Sequence, residues 1–233
     1  MHHDEIAVPT DGEPITVIVD GTWTTEFDPA CRRCPRIAAF LDEGRSRHPD
    51  YHCAPVAPFG DEVPRLLVVG LAPGFHGANA TGRPFTGDYA GVLLYATLHA
   101  CGWSSAPVSA SRHDGLALTG ARITNAVKCV PPANKPTPAE IATCSTFLRA
   151  ELAGLPAATV LLALGAIAHG AVLRALSVRQ SAFRFAHGAE HRLPDGRVMV
   201  DSYHCSRYNT NTRRLTAEMF AEVMERASTL ARQ

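Results

Sequence analysis

The sequence predicts an α/β fold in which buried strands alternate with helices along one domain. Short apolar runs with β-branched residues recur along the chain, and such runs are suited to strands covered on both faces. These runs are followed by glycine or proline residues that indicate turns, and then by segments with helical periodicity. The 233 residues suffice for one sizeable core, and no change in composition divides them.

The first buried strand is predicted at residues 66–69, where the apolar run precedes a sharp turn at Gly70, Pro73 and Gly74. A helix at residues 91–98 follows. The remaining predicted elements are a short strand or hairpin at 15–19, a strand at 122–128, a helix at 137–153, a strand at 159–164, a helix from about Ala166, a strand at 198–203 and a helix at 216–232 with Thr216 as its N-cap.

A polar loop follows the strand at 66–69. In open parallel sheets, ligands bind outside the carboxyl ends of the strands, so this loop predicts a pocket. Its polar side chains are His76, Asn79, Thr81, Arg83, Thr86 and Asp88. The chain has neither a GxGxxG nor a GxxxxGK[ST] motif, which gives no support to a dinucleotide or P-loop nucleotide site. An ordinary glycine-rich connection is the alternative interpretation.

Charge and hydropathy narrow the class of protein. Acidic and basic residues balance at 22 each, which argues against a globally basic nucleic-acid binder but leaves room for a local basic face. The N-terminus lacks the basic start and apolar core of a secretory signal, so a cytoplasmic location is expected. The one long apolar stretch, residues 158–176, is interrupted by polar residues and glycines, so no membrane contact is expected.

Four of the seven cysteines have the spacing of metal ligands. Cys31 and Cys34 form a C-x2-C pair, and Cys129 and Cys144 form a C-x14-C pair around a proline-rich loop. Four thiolates suit zinc or an iron–sulfur cluster, and the spacing alone does not separate the two. Four buried free thiols are the alternative. A metal bound here would have a structural role.

A second polar segment, residues 203–216, follows the strand predicted near the C-terminus. His204 is expected at the end of that strand, beside the first loop. Single histidines are more often structural, but this one precedes hydroxyl, amide and arginine side chains suited to phosphate contacts. These arginines are Arg207, Arg213 and Arg214.

Together these motifs have a family resemblance. The segments GLAPGFHGANATGRPFTGD, TNAVKCVPPANKPTP, ALGAIAHGAVLRAL and SYHCSRYNTNTRRLT, with the two cysteine pairs, resemble the uracil-DNA glycosylase superfamily and its family 5 (type B) enzymes. The resemblance covers about residues 28–228, so residues 1–27 are expected to be an N-terminal extension to one domain at 28–233. It implies a three-layer α/β/α sandwich with a central four-stranded parallel sheet. It also implies a 4Fe–4S cluster on Cys31, Cys34, Cys129 and Cys144, with zinc as the alternative.

The resemblance assigns catalytic roles to three residues. Asp88 is the candidate acidic group, because Leu71 and Ala72 occupy the positions where other branches carry a water-positioning side chain. His204 matches the histidine that stabilises charge on the departing base. Asn134 matches an asparagine typical of family 5.

Further residues are expected to contact the substrate. Phe85 matches the aromatic residue that stacks on the base, and Asn125 falls where family 4 enzymes carry an asparagine that reads the pyrimidine edge. Gly70 and Ala72 belong to the turn under the flipped base. The remaining expected contacts are His76, Ser206, Arg207 and Arg214.

The resemblance implies a monomeric, monofunctional glycosylase that flips and excises uracil, and also hypoxanthine and xanthine, from double-stranded DNA. Two departures concern the loop after His204, where Cys205 replaces a proline and Arg213 a glycine. The apolar Leu71 and Ala72 leave open a non-catalytic iron–sulfur protein that binds damaged DNA. A zinc-stabilised hydrolase of free nucleosides is a second alternative.

Overall fold

A computed structural model describes residues 16–19, 22–25 and 27–233. The helices in these residues are α1 (Pro35–Arg47), α2 (Ala78–Thr81), α3 (Tyr89–Ala100), α4 (Pro138–Ala153), α5 (Ala166–Ala175), α6 (Arg207–Asn211) and α7 (Ala217–Ala231). The strands are β1 (Thr16–Val19), β2 (Thr22–Thr25), β3 (Phe59–Gly60), β4 (Leu66–Gly70), β5 (Ala121–Asn125), β6 (Val160–Leu164), β7 (Glu190–Arg192) and β8 (Val198–Ser202). Short 3-10 turns occur at Pro132–Asn134 and Gln180–Ala182.

The central sheet has the strand order β3-β5-β4-β6-β8-β7. Its four inner strands are parallel, whereas the edge strands β3 and β7 are antiparallel to their neighbours. The four-stranded parallel sheet predicted from the sequence is therefore confirmed. The edge strands have only two and three residues, too few for an alternating pattern to predict them.

Alternate residues of β4 point into two different cores, as the pleat of a strand requires. Leu66 and Val68 pack in a core with residues of α3 and α7. Leu67 and Val69 pack in a second core with residues of α4 and α5. Helices therefore cover both faces of the sheet, which confirms the three-layer α/β/α fold.

Most predicted elements differ from the structure by one or two residues at their ends, and the strand predicted at 122–128 differs most. The strand predicted at 122–128 ends at Asn125, after which the chain leaves the sheet as a bend. The apolar residues after Asn125 are buried but lie outside the strand. Apolar character therefore does not mark where this strand ends. Helix α7 begins after Thr216, whose side chain accepts a hydrogen bond from the Met219 amide, so the predicted N-cap is confirmed.

The predicted element at 15–19 is the first strand of an antiparallel hairpin, β1–β2, which lies against α4. Most of the predicted N-terminal extension, residues 1–27, lies outside the described residues, and its boundary stays a prediction. Among the helices described, none combines the length and apolar character needed to cross a membrane.

Candidate active site

The parallel strands place their carboxyl ends along one edge of the sheet, and a pocket opens there. We call it the strand-end pocket. It lies against the turn after β4, the end of β5 and the loop after β8. The sequence-predicted residues that line it are Ala72, Phe85, Asp88, Asn125, Asn134, His204, Ser206 and Arg207. Segments more than 130 residues apart in sequence thus form one site at the carboxyl ends of the parallel strands.

Asp88 lies in this pocket as the N-cap of α3. Its Oδ1 accepts a hydrogen bond of 2.9 Å from the Gly91 amide. Its Oδ2 points toward the turn after β4, where a Cβ atom at Gly77 would lie 2.5 Å from it. Burial raises the pKa of Asp88, and the backbone amides of Gly91 and Ala90 oppose that shift. One oxygen therefore holds the helix, and the other remains for a ligand.

Phe85 forms a flat apolar wall of the pocket. Its side chain is buried, with 6 % of the residue exposed, and its ring stacks near that of His204 with centroids 5.9 Å apart and planes at 28°. Its φ of 54° lies in the left-handed region, which bulky residues rarely adopt. Phe85 thus presents its aromatic face to the pocket from a strained backbone conformation.

Asn125 ends β5 beside Gly70 of β4, its register partner. Asn125 is 3 % exposed, and its Oδ1 is buried without a hydrogen-bond partner. A Cβ atom at Gly70 would overlap both Asn125 Oδ1 and the Phe85 ring, so glycine at this position allows the two side chains to come together. A buried acceptor without a partner is costly, and a ligand with an N–H group would satisfy it.

His204 is the second residue after β8 and lines the pocket. Burial lowers the pKa of His204 to about 4, so the imidazole is neutral at physiological pH. The Asn209 side chain donates a hydrogen bond of 2.8 Å to the His204 carbonyl and braces the loop. Cys205 is fully buried in the core, which anchors this loop where the resemblance expects a proline.

The arginines after His204 have different environments. Arg207 lines the pocket and lies over the Tyr89 ring, 5.1 Å from its centroid. Arg214 does not line the pocket; its guanidinium lies 4.6 Å from the centroid of the Tyr203 ring. Arg213 has a φ of 56°, the conformation that explains why the resemblance expects a glycine at this position.

His76 lines an adjoining cavity rather than the strand-end pocket. Its Nδ1 lies 2.9 Å from the Tyr51 hydroxyl, within hydrogen-bond distance. Phe85, Asp88 and Asn134 line both cavities, so the two are continuous. The structure therefore places His76 beside the pocket.

Two tyrosines, one in the pocket and one on the loop beside it, were not predicted from the sequence. Tyr89 lines the pocket and supports Arg207, and its position directly after Asp88 was the available signal. Tyr208 is 72 % exposed, the largest value among the large hydrophobic residues whose burial the structure describes. An exposed aromatic ring beside a polar, cationic loop is a common feature of nucleic-acid interfaces.

The four cysteines singled out by spacing come together outside the strand-end pocket. Cys31, Cys34, Cys129 and Cys144 line one cavity. Burial raises the pKa of the Cys34, Cys129 and Cys144 thiols. No three of these sulfurs, all within the described residues, lie within 4.8 Å of one another. Tetrahedral zinc with Zn–S bonds of about 2.3 Å needs sulfurs about 3.8 Å apart, so this wider arrangement fits a cluster better.

One other group of ligand-type side chains occurs in the described part of the chain. Ligand atoms of His169, His191 and Asp201 lie within 4.8 Å of one another. Asp201 is bonded to both imidazoles at 2.8 and 2.9 Å, and the other His169 nitrogen lies 3.0 Å from the Phe183 carbonyl oxygen. The hydrogen-bonding capacity of these groups is thus used within the group. The bonds connect α5 and β7 to β8, close to His204 in sequence.

Comparison with known proteins agrees with this site. The family model of the uracil DNA glycosylase superfamily matches residues 57–228. This chain belongs to the uracil-DNA glycosylase superfamily. The matched range contains every residue that lines the strand-end pocket, together with Cys129 and Cys144.

Type-5 uracil-DNA glycosylases are similar to this protein over most of the chain, and a type-4 enzyme is similar over part of it. A type-5 uracil-DNA glycosylase of Thermus thermophilus is 50 % identical over 207 residues, which are 87 % of this chain and 94 % of the relative. The type-5 enzyme of Pyrobaculum aerophilum is 44 % identical over 203 residues, 85 % and 88 % of the two chains. A type-4 enzyme of Thermotoga maritima is 39 % identical over 105 residues, 45 % and 46 % of the two chains.

Proposed function

We propose that this protein is a monofunctional uracil-DNA glycosylase, which hydrolyses the bond between uracil and deoxyribose in double-stranded DNA and leaves an abasic site. The observation that carries the proposal is one pocket with an aromatic wall, an unpaired buried amide oxygen, a neutral imidazole and a carboxylate. These are Phe85, Asn125, His204 and Asp88. Membership of the superfamily and the similarity to type-5 enzymes support the same assignment.

Recognition requires the uracil nucleotide to leave the duplex, and a mispaired base is less costly to extrude. In this proposal the base stacks on Phe85, an interaction worth about 1–3 kcal/mol. Asn125 Oδ1 accepts a hydrogen bond from N3–H of the base. That bond would give a partner to an acceptor that is buried without one.

Cleavage breaks the C1′–N1 bond, and the bonding electron pair leaves with the base. The base becomes an anion and the sugar becomes an oxocarbenium ion, which a water molecule attacks at C1′ with loss of a proton. The neutral His204 imidazole donates a hydrogen bond to O2 of the base, where negative charge develops. The Asp88 carboxylate, through Oδ2, stabilises the cationic sugar or orients the water.

In this proposal, the polar residues around the pocket contact the DNA backbone. Arg214 is held against Tyr203, which presents its guanidinium to a phosphate. Ser206, Arg207 and His76 are assigned to phosphates closer to the pocket. Asn134 at the pocket mouth is assigned to the flipped nucleotide.

We further propose that the pocket accepts hypoxanthine and xanthine. Leu71 and Ala72 contribute apolar surface to the pocket where other branches of the superfamily carry a polar side chain. A panel of duplexes with uracil, hypoxanthine or xanthine tests this, and cleavage of uracil alone would contradict it.

The four-cysteine site is assigned to a 4Fe–4S cluster, supported by the sulfur spacing. Cys31, Cys34, Cys129 and Cys144 would hold it. When bound, the cluster supplies a covalent link from the segment before α1 to the loop after β5 and to α4. Purified protein should contain iron and sulfide and absorb visible light, and Cys129→Ser should lose that absorbance. Stoichiometric zinc without iron would contradict the assignment.

The enzyme assignment is tested by single-turnover cleavage of a labelled U:G duplex, followed by alkali to break abasic sites. We expect the parent protein to cleave the duplex and His204→Ala to be at least about 100-fold slower. His113→Ala, an exposed histidine away from the strand-end pocket, is the matched control. Tight binding without cleavage by the parent would indicate the non-catalytic alternative. A loss below about fivefold in His204→Ala would contradict its role.

A further inference from the structure

The backbone of Phe85 is held from several sides. Its φ of 54° is unfavourable for a bulky residue, so neighbouring contacts must stabilise it. On one side its carbonyl group lies against Gly91 in the first turn of α3. Just before it, the Pro84 carbonyl accepts a hydrogen bond of 2.9 Å from the Tyr95 hydroxyl. Both contacts come from α3, the helix that Asp88 caps.

The requirement for glycine at position 91 of this helix is steric. Glycine destabilises a helix by about 1 kcal/mol relative to alanine, and the φ of Gly91 lies outside the positive range that favours glycine. A Cβ atom at residue 91, however, would lie far inside the 3.0 Å distance that real Cβ atoms respect, against the Phe85 carbonyl oxygen. The Phe85 carbonyl therefore occupies the space that an alanine methyl group would need.

Tyr95 holds the same segment from the core. Its side chain is fully buried, and burial raises the pKa of Tyr95 to about 12, so the hydroxyl remains a donor. At the far end of Phe85, the ring lies against the Cα of Gly70, where a Cβ atom would overlap it. Contacts from α3 thus hold the backbone of Phe85, and Gly70 leaves the space that its ring occupies.

We propose that Gly91 and Tyr95 are positioning residues that set the place of the Phe85 ring and thereby the affinity of the pocket for a planar base. The inference rests on the proposed function, because it takes Phe85 as the stacking surface. Dispersion contacts weaken steeply with distance, and a gap of about 0.5–1 Å already forfeits a quarter to a half of the attraction. A methyl group at residue 91 would force the Phe85 carbonyl to move and shift the ring with it.

The test measures equilibrium binding of the full chain to two duplexes. One carries 2′-fluoro-deoxyuridine, which keeps the base but resists cleavage, and the other carries a tetrahydrofuran abasic analogue. We expect Gly91→Ala to bind the first duplex about three- to tenfold more weakly and the second as the parent does. Gly170→Ala, a helical glycine whose Cβ would have ordinary contacts, is the matched control and should change neither affinity.

A second variant and a double mutant complete the test. Tyr95→Phe removes only the hydroxyl and should show the same selective loss at smaller size, even if Gly91→Ala fails to fold. In a Phe85→Ala background, Gly91→Ala should cause no further loss on the base-containing duplex. Equal losses on both duplexes, or full additivity with Phe85→Ala, would overturn the inference while the parent still cleaves uracil. A parent that does not cleave uracil would refute the proposed function and this inference with it.

Discussion

Substituting Asp88 by asparagine and by alanine separates the two roles of this side chain. Oδ1 caps α3 through the Gly91 amide, and Oδ2 lies toward Gly74 and Gly77. Asparagine keeps an acceptor oxygen for the cap but removes the charge. Alanine removes both the cap and the charge.

The magnitudes of the two losses follow from these contacts. Asparagine and aspartate are about equal as N-caps, whereas alanine costs about 1 kcal/mol of stability. In a domain of this size that cost lowers Tm by about 2–4 °C. A preorganised electrostatic contact to the transition state is worth about 2.7–4 kcal/mol, so both variants should lose about 100- to 1000-fold in single-turnover rate.

Thermal unfolding followed by circular dichroism and single-turnover cleavage of a U:G duplex, run on the same preparations, measure the two effects. Similar rates for both variants, with a lower Tm only for Asp88→Ala, are the expected result. If Asp88→Asn cleaves within about fivefold of the parent, the charge has no catalytic role. If Asp88→Ala is as stable as Asp88→Asn, the cap contributes nothing.

Three further predictions concern the same pocket and its surroundings. Because burial raises the pKa of Asp88, the cleavage rate should fall on acidification as the carboxylate is protonated. The same fall in rate at low pH in Asp88→Asn would contradict this. Gly77→Ala should slow cleavage at least about tenfold, because its methyl group displaces Asp88 Oδ2, and parent-like single-turnover kinetics would refute the placement. Arg214→Ala should weaken binding to lesion and undamaged duplexes alike and reduce the salt slope by about one, and titrations whose slope does not change would exclude a phosphate contact.

Much of this protein can be predicted from local sequence. The apolar runs predict the inner strands, and the turn signals after them place polar loops at the carboxyl edge of a parallel sheet. That logic brings Asp88 and His204 into one pocket before any coordinates are available, whereas only the family resemblance predicts that Asn125 contacts the base. The cysteine spacing likewise predicts the four-cysteine site. These features depend on periodicity and chain order, which are properties of short segments.

Only the tertiary structure decides how the side chains divide their contacts. Sequence does not reveal that one oxygen of Asp88 is used by the cap, or that Arg214 lies on Tyr203 outside the pocket. It does not reveal that Gly91 leaves space for the Phe85 carbonyl group instead of allowing the backbone to turn. These arrangements depend on distances between groups from different segments, and such distances are set when the sheet and its helices pack together.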